Sequence, residues 1–183
     1  MRRTVSIGLA FTSLALAGCG DDKVSGPPPA APERIVLSSP AFSQGETIPK
    51  AFTCSGQGQS PPLRWRGVPP EARSLALLVE DPDAPGGTFV HWTAWDIAPG
   101  TSSLAAGAKP PRQGRSSGGD TGWTPPCPPE GKGAHRYVFT LYALRARLGL
   151  ESAAKPDEVR SAIGEQALAR GDLTGRFGRG QTP

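Results

Sequence analysis

Asp81, Asp83, His91 and His135 are the residues of this chain whose types and positions could do chemistry. The stretch LALLVEDPDAPGGTFVHWTAWDI, residues 75–97, carries the first three. Its opening apolar run stops at two carboxylates, and Pro82 and Pro85 limit the backbone there, so the acids stand fixed at the rim of a strand. His91 opens the next run, close enough for a hairpin-like connection to bring it beside Asp81. His135 opens a third run after a proline- and glycine-rich loop, and these are the only 2 histidines of the chain. Such groups can orient one another's protons, donate to an anion, bind a zinc-like metal or serve a nucleophile. The loop spacing fixes no metal geometry, neither HExxH nor CxxC occurs, and no run reads as a GxSxG elbow on a strand-to-helix turn, so no metal and no catalytic residue are expected. Two hydrogen-bonded histidines in a polar corner of the core would be the plainest outcome. The restricted loops and oriented acids favour a small anion pocket instead.

The elements that must position these groups are short and mostly extended. Residues 34–37, 75–79, 90–97 and 137–144 are rich in β-branched, aromatic and leucine residues, and turn signals bound most of them. In the last, Tyr137, Phe139, Leu141 and Ala143 alternate with Val138, Thr140, Tyr142 and Leu144, so both faces are largely apolar, as in a central strand covered on two sides. Proline and glycine clusters near residues 60–62, 68–70, 82–87 and 123–133 separate the runs, which favours a mainly β core with long structured loops. One helix is expected in KPDEVRSAIGEQALARG, with Pro156 in its first turn, Asp157 and Glu158 at its positive end and Gly171 as its stop. Val159, Ala162, Ile163, Gln166 and Ala167 would form the stripe that docks on the sheet.

The N-terminus reads as a secretory leader over residues 1–18, basic at first, then apolar, then small before Cys19. Leu16, Ala17, Gly18 and Cys19 resemble a bacterial lipobox, which makes Cys19 the lipidated first residue of a membrane-anchored envelope protein facing the periplasm or the exterior. Removing the leader takes away Arg2 and Arg3, so the formal charge falls from 20 − 16 = +4 to 18 − 16 = +2. That balance, without basic runs or an aromatic ladder, argues against nucleic acid. Residues 19–34 read as the lipidated cysteine followed by a flexible, proline-rich tether. Residues 35–183 make one domain. Cys54 and Cys127 then remain in an oxidising compartment, where a single disulfide is the simplest account, with a reactive Cys127 as the alternative.

Taken in order, DPDAP, FVHW and PCPPEGKGAHRYVFTLYAL resemble the phosphatidylethanolamine-binding protein family in its bacterial Raf kinase inhibitor-like branch. FTCSGQGQSPPLRW and LTGRFGR extend the resemblance across nearly all of residues 35–180. It implies a β-sandwich in which a large sheet packs on a smaller one, with a shallow pocket for phosphate, acetate or a phosphoryl head group. The positions that match the family's pocket are Asp81, Asp83, His91, Pro128, Pro129, His135 and Tyr137, with Phe89, Trp123, Pro125 and Phe177 at its rim. Pro125 stands where glycine is usual and removes an N–H, while Trp123 and Phe177 stand where tyrosines are usual and remove hydroxyls.

The favoured function is a lipid-anchored binding protein for a small phosphorylated or carboxylated ligand, with no turnover and no cofactor. The alternatives are an inhibitor or modulator of an envelope or extracellular protein, and a metal-assisted or His/Asp hydrolase. Relatives of this branch pair as dimers, so a homodimer is one expected assembly.

Overall fold

The computed structural model of the protein describes residues 23–180. The leader, Cys19 and the start of the tether lie outside the described residues. Eight strands and one helix follow in the order β1 (Val36–Ser38), β2 (Leu63–Arg66), β3 (Ser74–Asp81), β4 (Phe89–Ile97), β5 (Ser103–Leu104), β6 (Arg112–Gln113), β7 (His135–Leu144), α1 (Pro156–Gln166) and β8 (Ala167–Phe177). The large sheet runs β6-β4-β3-β7-β8 and the small one β1-β2-β5, antiparallel throughout.

Between the sheets lies an apolar core to which β3 contributes Leu75, Leu77 and Val79, β4 contributes Trp92 and Ala94, and β7 contributes Tyr137, Phe139 and Leu141; Leu63 and Trp65 answer from β2. The alternate residues of the same strands, among them Leu78, Trp95, Tyr142 and Leu144, face the other way and pack with Val159 and Ile163 of α1. This is the strand covered on two sides that the doubly apolar pattern of residues 137–144 predicts. Every residue of β3 is buried.

The helix starts as expected, with Pro156 in its first turn and the Glu158 carboxylate accepting the Lys155 backbone N–H. It ends at Gln166, short of Gly171. Ala167 to Phe177 form β8 instead, paired along β7. Ala, Leu and Arg favour a helix locally, but pairing with the buried β7 overrides that propensity. Gly171 and Gly175 hide the period-2 pattern, because they occupy inward positions where no side chain fits. A Cβ at Gly171 would lie 2.1 Å from the Ile35 carbonyl oxygen, and one at Gly175 would lie 2.4 Å from Ile48. The first strand is also shifted, to Val36–Ser38, because the backbone N–H groups of Arg34 and Ile35 donate to Arg170 of β8 before the chain crosses to the small sheet.

A second correction concerns the tether, whose described part lies against the domain. Val24 is buried and its N–H donates to the Thr88 carbonyl. The Arg160 guanidinium donates to the carbonyls of Ser25, Gly26 and Pro27 at 3.3, 3.1 and 2.7 Å, and the Tyr142 hydroxyl donates to Pro29 at 3.1 Å. Proline-rich composition hides this because the anchoring groups are carbonyls, which every residue has. Cys54 and Cys127 form the expected disulfide across 73 residues, joining the segment after a 3-10 turn (Lys50–Phe52) to the proline loop at residues 124–129.

Glycine substitutions separate the two backbone environments. Gly164, exposed on α1, has only Pro29 Cβ at 3.9 Å from an added Cβ. Gly164→Ala is expected to raise the unfolding free energy in urea by about 0.5–1 kcal/mol. Gly171→Ala, which forces a methyl against the Ile35 carbonyl, is expected to lower it by about 1–3 kcal/mol.

Candidate functional site

The order β4-β3-β7 brings the candidate residues together, since Asp81 closes the central strand of the three while His91 and His135 stand on its two neighbours. Asp81 is 3% exposed, and both of its oxygens are engaged. Oδ1 accepts the Asp83 N–H at 2.8 Å, closing the turn that Pro82 favours. Oδ2 accepts Nδ1–H of His135 at 2.7 Å, which fixes that ring's orientation. The carboxylate expected beside His91 is thus hydrogen-bonded to His135.

His91 is tied to the proline loop. Its Nδ1 lies 2.8 Å from the Thr124 carbonyl, which can only accept, so Nδ1 carries the proton and Nε2 keeps its lone pair. The Thr124 N–H returns a bond to the His91 carbonyl at 2.9 Å. Phe89 packs against the ring at 4.7 Å between centroids, and Tyr137 meets it edge-on at 5.2 Å. Burial lowers the His91 pKa from its usual 6.5, opposed by the Thr124 bond and the Asp81 charge and reinforced by His135. His91 is therefore a neutral imidazole at pH 7. The Tyr137 hydroxyl is buried without a hydrogen-bond partner, and burial, with the charges of Asp81 and Asp83, raises its pKa. It stays a protonated phenol, able to donate.

A cavity of about 260 Å³ opens among these groups. Asp81, Phe89, His91, Pro125, Pro128, Pro129, His135 and Tyr137 line it, as do Lys23, Ala84, Pro85, Thr124 and Cys127, which the sequence did not single out for it. Among residues 124–129 there are four prolines, and the Thr124 N–H is already bonded. Only the Cys127 N–H of that stretch remains without a partner, so the loop offers one amide to the cavity. A larger groove of about 650 Å³ lies between residues 33–37 and the outer side of β8, but it contains no histidine.

Three candidates stand elsewhere. Asp83 turns away to Arg136, taking its backbone N–H and Nε–H on Oδ2 at 2.9 Å each and Nη2–H on Oδ1 at 2.6 Å. The Arg136 side chain's bonds hold the Asp83 carboxyl down at about 2. Trp123 packs behind His91, stacked on Phe139 and edge-on to Trp92. Phe177 is buried in the core opposite His135 in the β7–β8 register. The apolar side chains at 123 and 177 therefore fill space behind the cavity and leave its rim to Phe89 and the prolines. No group of three or more His, Cys, Asp and Glu side chains suited to a metal ion occurs among the described residues.

A two-sheet β-sandwich with a small cavity at the end of its central strands defines the class. Residues 38–178 match the family described as phosphatidylethanolamine-binding protein, and the chain belongs to it. LppC of Mycobacterium tuberculosis, whose name marks it as a candidate lipoprotein, is 41% identical over 189 residues, covering 93% of this chain and 92% of that protein. CT736 from Chlamydia trachomatis, described as a candidate homolog of the family, has a solved structure that superposes with a TM-score of 0.76 at 39% identity, covering 80% of this chain and 99% of that one. YbcL of Escherichia coli, described as a member of the mammalian family, gives 0.75 at 28% identity, with 79% and 98% covered.

The neutral state of His91 has a consequence for stability. Its folded pKa lies below the unfolded value, so the stability it supports is complete above that value and is lost as pH falls through the folded one. Between about pH 7.5 and pH 5 the wild-type protein should lose more stability in urea titrations than His91→Asn, which keeps a donor near the Nδ1 position and cannot titrate. Equal losses would mean that His91 does not set the acid limb.

Proposed function

We propose that this protein is a lipid-anchored binding protein of the cell envelope whose cavity accepts the anionic oxygens of a small phosphorylated or carboxylated ligand without turning it over. The observation that carries the reading is the convergence of two oriented imidazoles and an unpartnered phenol on one cavity of about 260 Å³. Tyr137 donates as it stands. His135, held through Nδ1 by Asp81, presents its other nitrogen. His91 accepts from a ligand that brings a proton or an amine, or takes up a proton when an anion arrives. The cavity's thiol is bridged to Cys54, which leaves it no thiolate nucleophile.

The resemblance to LppC supports an anchor at Cys19. No helix among the described residues is long and apolar enough to cross a membrane, so attachment would rest on the N-terminus. Three residues, Gly20, Asp21 and Asp22, separate Cys19 from Lys23 on the cavity wall, which is at most about 14 Å of chain between their Cα atoms. Replacing Cys19 by Ser should release the protein from the membrane fraction, and intact mass should show the loss of acyl groups. A membrane-bound Cys19→Ser protein would sink the anchor.

Calorimetric titration of the full-length protein in detergent with phosphoethanolamine, phosphate, sulfate and acetate tests the cavity. Binding should disappear in His91→Ala. Because a bound anion favours protonated imidazole, affinity should rise as pH falls from about 7.5 to 5.5, and sulfate, which does not titrate there, should show it free of ligand protonation. Lys23, Asp81, His135 and Tyr137 are the other titratable groups on the cavity wall, so the His91→Asn protein is the control for the slope. Silence across the panel would remove the anion pocket and leave recognition of a protein partner.

A further inference from the structure

The cavity has a wall that the family match does not include. Residues 38–178 carry that match, yet Lys23 lines the cavity and its Nζ donates to the Pro85 carbonyl in the turn after Asp81. Val24 follows, buried and bonded to Thr88 at the entrance of β4. The next residues are gripped by Arg160, which is 8% exposed and ion-paired through Nε with the Glu80 carboxylate at 3.3 Å. An arginine in that position is expensive to bury unless its charge is balanced and its donors are met; Glu80 balances the charge, and the carbonyls of residues 25–27 accept from the two terminal nitrogens. Residues 23–27 are therefore built into the domain.

We infer that residues 23–27 form a strap that completes the cavity, with Lys23 supplying the ammonium that takes an anionic oxygen of the ligand and Val24 and Arg160 holding it in place. This rests on the cavity being an anion site. The proline loop supplies one unpartnered amide and His91 is neutral, so without Lys23 the cavity's fixed full charge is the Asp81 carboxylate, which repels an anion. An ammonium on a flexible stem, already held at the turn after Asp81 by its bond to the Pro85 carbonyl, has three donors and can turn one of them to a ligand oxygen. Because Lys23 stands four positions after Cys19, the same strap couples occupancy of the cavity to the segment that leads toward the anchor.

Titrations of full-length Lys23→Ala, Lys23→Arg and Val24→Ser with phosphate and acetate, beside the wild type, test it. Lys23→Ala should weaken phosphate about tenfold and acetate less, since the loss scales with ligand charge, while Lys23→Arg should stay within about twofold of wild type. Val24→Ser should speed tryptic cleavage after Lys23 and lose phosphate affinity to the same degree as Lys23→Ala. If Lys23→Ala binds phosphate as the wild type does, the strap's role falls while the anion site stands. If it weakens phosphate and acetate equally and lowers the melting temperature, Lys23 merely clamps the Pro85 turn and the inference is overturned. A wild type that binds neither anion removes the anion site and the inference together.

Discussion

The buried carboxylate of Asp81 is the constraint on which the rest of the site depends. A carboxylate that is 3% exposed is costly unless its lone pairs are met, and here two different segments meet them. The Asp83 N–H folds the proline turn back onto the end of β3, and the His135 ring ties the start of β7 to it. Removing either donor would leave a buried charge short of a partner, so turn and ring are held together by the same penalty. The cavity lies where these two bonds leave room beneath the proline loop.

Adjacent residues on one strand serve opposite faces. Glu80 precedes Asp81, and the period of 2 along β3 turns its side chain toward α1 and the strap, where Arg160 pairs with it. Burial raises the Glu80 pKa and the Arg160 charge opposes that rise, so the pair exists because each ion relieves the other's desolvation. Strap, helix, strand and cavity are thus linked through two consecutive acids at the end of one apolar run. Glu80 carries its own signal in the sequence, an acid that closes the buried run LALLV directly before Asp81.

What the sequence disclosed and what it hid divide along physical lines. The central strands were legible because β3, β4 and β7 carry dense apolar runs, and the disulfide because two cysteines remained after Cys19. β8 was not, since its inward positions include Gly171 and Gly175, whose value is the absence of a side chain; packing against Ile35 and Ile48 creates that need, and no local pattern reports it. At the site, residue type points to Asp81, His91 and His135, and the order β4-β3-β7 places them at one sheet end. Residue type could not say which carboxylate each histidine would meet, because that depends on β7 lying beside β3, a neighbour relation fixed by the whole sheet. Asp83 illustrates the limit most directly. The same residue type two positions after Asp81 pairs with Arg136 outside the cavity, and its acidic neighbour does the structural work inside.

The proline loop shows how such a cavity keeps its shape with few hydrogen bonds. Each proline fixes φ and removes an N–H that would otherwise need a partner, so residues 124–129 wall the cavity without presenting a row of buried donors. Its position comes from the reciprocal bonds between Thr124 and His91, from the bridge between Cys127 and Cys54 with the Cys54 N–H donating to the Pro126 carbonyl, and from Arg179 Nε–H donating to the Pro128 carbonyl at 2.6 Å. One of these passes through a ring that faces the cavity. Protonating His91 would leave its Nδ1–H bond to Thr124 intact and change only the other nitrogen, from acceptor to donor. The wall can therefore stay fixed while the chemistry it presents changes sign, because the atom that holds the loop and the atom that titrates are different nitrogens of one imidazole.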